Sequence, residues 1–402
     1  MTRREWSAVF VATLGYFVDI YDLILFSVVR ESSLTDLGYQ GKAKLQYGVL
    51  LINLQMVGML LGGLLWGILA DKRGRLSILF ASISTYSLAT LLNGIVESIQ
   101  GYAIWRFIAG IGLAGELGAG VTLVVELMPP HLRGWGTTLI ATVGILGAVA
   151  ASLIGEIFPW RVAYFIGGGM GFLLLFLRIG IGESLLFQAL RQQTNVPLGD
   201  FLQIFRKRER LQRYLYAILA GAPIWYVVGI LVTFSPDLFR ESGLSLIAGR
   251  AIMYTYIGLS VGDLLAGLYS QVLRSRRKPI LFWLGMGSLL AIAYNLFPFS
   301  SAEAVYGMVF LLGLFSGYWA VLITSAAEQF GTNLRATVAT SIPNWIRGSL
   351  VLSSLLWNGF QSLFSLRESA LATGILLYVI AFYAAIQIKE TFGTSLNFVE
   401  KD

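Results

Sequence analysis

Glu126-Leu-Met-Pro-Pro-His-Leu-Arg133-Gly134 and Glu328-Gln-Phe-Gly-Thr-Asn-Leu-Arg335-Ala336 stand about half the chain apart and follow one pattern. Each ends an apolar run. In each, an acid is followed seven residues on by an arginine, then a small residue and a new apolar segment. A pattern repeated at half-length marks an internal duplication. In a membrane protein, duplication points to a transporter whose halves rock about a central site.

Composition agrees with a membrane setting. The 402 residues are 56% hydrophobic and 13% charged, where soluble domains carry about 25% charged residues, and the mean hydropathy is +0.73. Most of the surface must therefore face lipid. Without cysteine, and with His131 as the sole histidine, disulfides, thiol ligands and an imidazole metal cluster are excluded, and no cofactor is expected. There is no phosphate-binding G-x-x-x-x-G-K-[ST] loop, which argues against ATP as the energy source. No nucleophile–base pair suggests an enzyme. The sequence from Trp6 onward is long enough to span and carries acids, unlike a cleavable leader.

A span needs about 20 mostly apolar residues. Twelve are expected, at 6–29, 46–70, 76–97, 101–127, 134–156, 160–180, 214–236, 246–271, 278–299, 303–330, 336–364 and 368–389. The longest polar gap contains Arg206-Lys-Arg-Glu-Arg210 and reads as a cytoplasmic linker, with room for an amphipathic surface helix. The expected organisation is a first six-helix bundle at 1–182, a linker at 183–213 and a second bundle at 214–402. With both termini inside, 20 Lys and Arg fall on the cytoplasmic side and 7 outside, while Arg106 and Arg347 lie within spans. This asymmetry fixes the expected topology. It also explains the net charge of +7 without nucleic acid.

Between spans 2 and 3 lies Gly67-Ile-Leu-Ala-Asp71-Lys-Arg-Gly74-Arg75. Its glycines let helix ends approach, and its carboxylate meets basic residues, a latch that one conformation closes and another releases. The string closely resembles the loop motif of the major facilitator superfamily. Arg106-Phe-Ile-Ala-Gly110-Ile-Gly112 resembles that family's fourth-helix pattern. Glu126, Pro129, Arg133 and Gly134 resemble the next cytoplasmic loop of its sugar-porter and metabolite–proton symporter branches. Trp160-Arg161 and Gly182-Glu183-Ser184 resemble the ends of helix 6 there, so the resemblance covers the whole chain. It implies an all-α membrane fold of twelve helices in two pseudo-symmetric six-helix bundles, working by alternating access. Asp71, Arg75, Arg106, Glu126, Arg133, Gln271, Glu328 and Arg335 form the expected gating set. Gln271 stands where the second half would repeat Asp71, so Glu328 is the alternative acid for that loop. Helix 5 carries Gly144-Ile-Leu-Gly147-Ala, without the Gly-Pro that resembles antiporter motifs.

Charges at bilayer depth cost several kcal/mol unless paired or hydrated, and each is a functional candidate. Arg347 lies in Ser341-Ile-Pro343-Asn344-Trp345-Ile-Arg347-Gly348. Pro343 and Gly348 suggest a locally open helix. The guanidinium fork suits a carboxylate or phosphate. It either binds an anionic substrate or is neutralised by Asp19, Asp22 or Glu116. Asp19 and Asp22 share a face of span 1, where mutual repulsion suits proton coupling, as the resemblance also implies; the alternative is an ion pair that holds helices 1 and 4 together. Glu116 either relays a proton or pairs with Arg106. Asp263 suits a gate better than a binding site. Tyr21, Trp225, Tyr226, Tyr254, Tyr256, Tyr318, Trp319 and Trp345 are candidates to line a cavity, with Asn344, Asn53 and Gln55 as lesser polar candidates.

The expected function is proton-coupled symport of a small organic anion by a monomer in a bacterial inner membrane. Arg347 would anchor the anion, and Asp19, Asp22 and Glu116 would carry the proton. Export of a drug, siderophore or metabolite, and transport of a neutral sugar, remain open, although a sugar site needs no mid-membrane arginine. A non-transporting membrane sensor is the alternative from another class.

Overall fold

The computed structural model describes the backbone of residues 3–73, 75–116, 133–179, 201–393 and 400. It describes their side chains except those of 3–8, 70–76, 133–139, 141, 142, 332, 333, 335 and 336. The described chain is helical throughout. The first half holds α1 (Arg3–Asp36), α2 (Gly41–Arg73), α3 (Arg75–Asn93), α4 (Ile99–Leu113), α5 (Arg133–Ile157) and α6 (Trp160–Arg178). The second holds α7 (Arg208–Tyr226), α8 (Ala248–Leu273), α9 (Arg277–Leu296), α10a (Ala302–Ser316) with α10b (Trp319–Glu328), α11 (Thr332–Phe360) and α12 (Leu366–Gln387). Large apolar side chains such as Phe176 and Leu352 stand exposed on the flanks, as a lipid-facing surface requires.

The duplication is visible in the packing. In the first half α1 packs on α5 and α6, α4 on α2 and α3, and α3 on α6. In the second α7 packs on α11 and α12, α10a on α8 and α9, and α9 on α12. Gly58 and Gly62 of α2 lie against the α4 backbone at Phe107 and Ile111; Gly258 and Gly262 of α8 lie against Phe310 and Leu314 of α10a. A Cβ at any of the four would collide with backbone, so glycine is required for this approach. Ser98 caps α4 and Ser301 caps α10a, each accepting a backbone N–H bond.

Several sequence expectations are corrected by helix geometry. Span 1 continues to Asp36, about two turns beyond its expected end. The seventh helix begins at Arg208, inside the expected linker, after a short helix at Gln203–Arg206. It then widens into a π-turn at Val227–Val232, just beyond the ring of Pro223, whose missing N–H disrupts regular bonding. Span 10 breaks between Ser316 and Trp319. Span 11 does not break. α11 runs unbroken through Pro343, and Gly348 is covered by Leu60 of α2, so the expected local opening is absent there.

The halves meet along α2–α11 and α5–α8, with α1 also touching α8. At the end assigned to the outside by loop charge, Arg30 of α1 bonds Asp237 beyond α7 at 2.6 Å and Glu31 at 2.7 Å. It is fully buried, with the Phe234 ring 4.4 Å from its guanidinium carbon. Arg250 of α8 bonds Glu156 of α5 at 2.5 Å. Among the described residues, two ion pairs thus join the halves at this end. Arg30 follows the expected end of span 1, and the extension of α1 to Asp36 places it in the interface.

Removing one partner of a buried ion pair costs about 3–5 kcal/mol, enough to invert a two-state population. With spin labels at the exposed positions Ser32 and Ser242, Arg30→Gln is expected to move the distance distribution to longer values. An unchanged distribution would remove Arg30 from closure of this end.

Candidate functional site

The centre of the interface is a single acid–base pair. Arg347 of α11 and Asp19 of α1 approach to 3.7 Å across the two halves, with side chains 1% and 0% exposed. The pair is close but not sealed. Neither Asp19 oxygen has a hydrogen-bond partner, and Nε and Nη1 of Arg347 are likewise unbonded. Tyr16, one turn before Asp19 on α1, and Tyr256 of α8 stand beside them. Asn344, one turn before Arg347, donates to the Ala114 carbonyl of the opposite half at 3.0 Å. Both readings of Arg347 thus meet in one geometry: a fixed carboxylate faces it, and donors remain for a second anion.

Two more membrane-depth acids lie within the first half. Asp22 accepts from the Thr90 hydroxyl of α3 at 3.2 Å, leaves Oδ1 unbonded and has Arg106 nearby. Arg106 bonds Gln55 of α2 and lies over the Phe26 ring, 4.9 Å from its centroid. Glu116 does not pair with Arg106. It takes both Nη atoms of Arg178, one at 3.2 Å, and both side chains are 2% exposed. Arg178 lies at the end of the sixth span. The last turn of α6 rotates it into the bundle, where Gly15 of α1 leaves room for it.

Three of the expected cavity aromatics bond backbone carbonyls. Tyr21 donates to the Ala163 carbonyl of α6 at 2.8 Å, and Tyr226 donates to Ala370 of α12 at 2.7 Å, the same strut in each half. Tyr318 donates to Ala220 at 2.8 Å. Trp225 is buried. Tyr254 is 40% exposed and stacks on Tyr306 with centroids 5.6 Å apart, which places it on the flank. Trp319 and Trp345 are half-buried. Asn53 accepts from Ser354 at 2.8 Å across α2–α11.

Among the gating candidates, Glu328 meets Arg276 at 3.2 Å and accepts from the Thr391 hydroxyl at 2.7 Å, while Gln271 is exposed. Asp263 accepts from Ala320 N at 3.1 Å at the start of α10b, where the helix dipole favours an acid. Glu126 lies outside the described residues, as do the side chains of Asp71, Arg75, Arg133 and Arg335. Beside Glu328, Glu390 is raised by partial burial but held down to about 2 overall by Arg276 and other N–H donors and by the Ser275 hydroxyl. A depressed carboxylate stabilises the fold above its ordinary value of about 4.3, and this support fades as pH falls towards 2.

A cavity of about 190 Å³ opens in the second half at the end that holds Asp237, lined by Asp237, Glu241, Asn295, Arg367 and Glu368 among others. It holds none of the mid-membrane charges. Tyr16, Thr90 and Arg178 escaped the sequence reading. Tyr16 had a signal, its three-residue spacing from Asp19 on one helix face; Thr90 and Arg178 had none.

Comparison with known proteins gives three findings. A family model described as Major Facilitator Superfamily matches residues 8–343. A putative metabolite transport protein of Haemophilus influenzae is 28% identical, with 98% of each chain covered; the niacin transporter NiaP of Acinetobacter baylyi is 26% identical over 83% of this chain and 82% of that one. The crystal structure of a D-xylose-proton symporter superposes with a TM-score of 0.70 at 18% identity, covering 97% of this chain and 99% of the other.

Glu116→Gln leaves Arg178 buried without a counter-charge and is expected to cost about 3 kcal/mol, read as a lowered Tm. Glu116→Gln combined with Arg178→Met should recover most of it. If the double variant is no better than the single one, the pair is not the source of the loss.

Proposed function

Because the chain belongs to the Major Facilitator Superfamily, a family of membrane transporters, we propose that it carries a small organic carboxylate together with one proton. The observation that carries this reading is the incompletely bonded Asp19–Arg347 pair at the junction of the halves. In the empty carrier the two charges cancel. A carboxylate arriving at the free Arg347 donors adds one negative charge, and an unpaired charge in this setting costs several kcal/mol. A proton on Asp19 restores neutrality. Substrate and proton therefore enter together, and the halves rearrange either with both bound or with neither.

The substrate class rests on the same arginine, since a guanidinium binds a carboxylate through two parallel charge-assisted bonds. Tyr16 and Tyr256 add aromatic surface around it, which suits a flat, ring-bearing acid. The niacin transporter among the relatives supports that class, niacin being a pyridine carboxylic acid. The same reading takes Asp22 as the next proton acceptor on α1, with Glu328 and the loop motif around Asp71 as gates. It takes both termini to face the cytoplasm, across a bacterial inner membrane.

The test is uptake of labelled nicotinate and of a panel of aromatic and aliphatic carboxylates, sugars and amines into proteoliposomes with an imposed pH gradient. Arg347→Ala should weaken carboxylate binding about 100-fold, as expected for losing charge-assisted bonds worth about 3 kcal/mol. Asp19→Asn should abolish pH-driven accumulation yet retain substrate exchange, because the empty variant is left with an uncompensated arginine. If only sugars or amines are carried, or Arg347→Ala transports carboxylates normally, the carboxylate reading is lost. A sodium gradient at constant pH should drive nothing.

A further inference from the structure

A chain of buried hydroxyls runs through the interior of the first half, apart from the interface where substrate would pass. At its outer end Ser33 of α1 accepts from the Tyr102 hydroxyl of α4 at 3.3 Å. Tyr102 and Tyr164 of α6 share a hydrogen bond of 2.7 Å. Tyr164 in turn lies near Arg106 and Asp22. Asp22 sits against Gly167, about one turn along α6 from Tyr164. Ser33, Tyr102 and Tyr164 are at most 1% exposed. One turn beyond Ser33, Asp36 is half exposed, bonded by Trp160 and Arg161.

Structural packing does not account for this arrangement. The rings of Tyr102, Tyr164 and Trp160 already pack against one another, which phenylalanine would satisfy. Burying hydroxyls costs free energy unless they are bonded, and the bonding found here joins the three oxygens in one line, with Tyr102 donating to Ser33 and either hydroxyl able to donate between Tyr102 and Tyr164. Asp22 keeps Oδ1 free of partners, so it has a vacant acceptor at the inner end.

We propose that Ser33, Tyr102 and Tyr164 form a proton entry path from the outer face to Asp22, separate from the substrate path. Once Ser33 and Tyr102 rotate about their C–O bonds so that each donates inward, a proton arriving at the Ser33 oxygen lets each hydroxyl accept one proton while releasing its own to the next. Asp22 becomes a neutral acid, and the three hydroxyls end with the composition they began with, reset by rotation about their C–O bonds. Arg106 faces Asp22 from α4, Asp19 lies one turn away on α1, and Tyr21 of α1, Tyr86 of α3 and Tyr164 of α6 are the further titratable groups around it. All members of the path belong to one half, so it survives while the halves move. It also remains in place while Arg30–Asp237 and Arg250–Glu156 hold the outer end shut. This proposal rests on the proton-coupled reading for its purpose, though not for its geometry.

The experiment needs no substrate. Full-length protein in sealed proteoliposomes is subjected to an external pH jump from 8 to 6, and carboxyl protonation is followed by time-resolved infrared absorption. Bands are assigned with Asp22→Asn and Asp19→Asn. Tyr102→Phe, Tyr164→Phe and the double variant keep the ring packing and should each slow protonation of Asp22 at least tenfold. Tyr294→Phe, which removes a buried hydroxyl from the other half, should leave the rate unchanged. A wild-type rate in the double variant, or no protonation of Asp22 in the wild type, would overturn the path. Absence of an Asp19 band beside a normal, tyrosine-dependent Asp22 band would instead count against the symport reading and leave the path standing.

Discussion

A charge at the centre of a bilayer must be neutralised or wetted, and most of what distinguishes this molecule follows from where its counter-charges sit. Glu116 and Arg178 answer one another inside the first half, and Asp22 and Arg106 lie near each other there too. Those charges move as one body. Asp19 and Arg347 belong to different halves, so relative motion of the halves changes the distance between them. A pair within a rigid bundle is an element of assembly; a pair across the moving interface makes the motion sensitive to anything that occupies or protonates it.

The same logic orders the interface from centre to rim. Arg30–Asp237 and Arg250–Glu156 close the outer end, and Asn344 ties the middle of α11 to Ala114. These contacts are polar, which allows them to break into water when that end opens. The packing within each half is held by glycine-mediated backbone approach and tyrosine–carbonyl struts, which have no hydrated alternative in lipid. The halves are stiff where they must stay intact and wettable where they must part.

Duplication separates scaffold from chemistry. Tyr21 and Tyr226 make the same strut, so Asp22 corresponds in position to Val227. Gly110 and Gly313 make the same approach to α2 and α8 respectively, so Arg106 corresponds to Val309. Where the two copies agree, the residue supports the fold; where an ionisable group faces an apolar counterpart, the copy has departed from the scaffold. The hydroxyl path and its terminal acid lie wholly in the copy that carries these departures.

Several features were legible in the sequence because they depend on local order and on the bilayer. The twelve spans followed from apolar length, the halves from the repeated Glu-to-Arg string, and the membrane-depth charges from counting along helices. The identity of the partners was not legible. Arg178 looked like a loop charge because no one-dimensional signal tells which way the last turn of a helix faces, and Arg30 looked exposed because α1 was read two turns short. Tyr21 and Tyr226 looked like ligand contacts because an amphipathic ring in lipid serves a cavity or a carbonyl equally well until its neighbour is known. Sequence by itself determined that charges are buried in a duplicated membrane fold, since hydropathy and periodicity are properties of one chain segment at a time. Which charge answers which, and whether a pair lies within a half or across the two, was decided by tertiary structure alone, because pairing depends on distances between helices far apart in sequence.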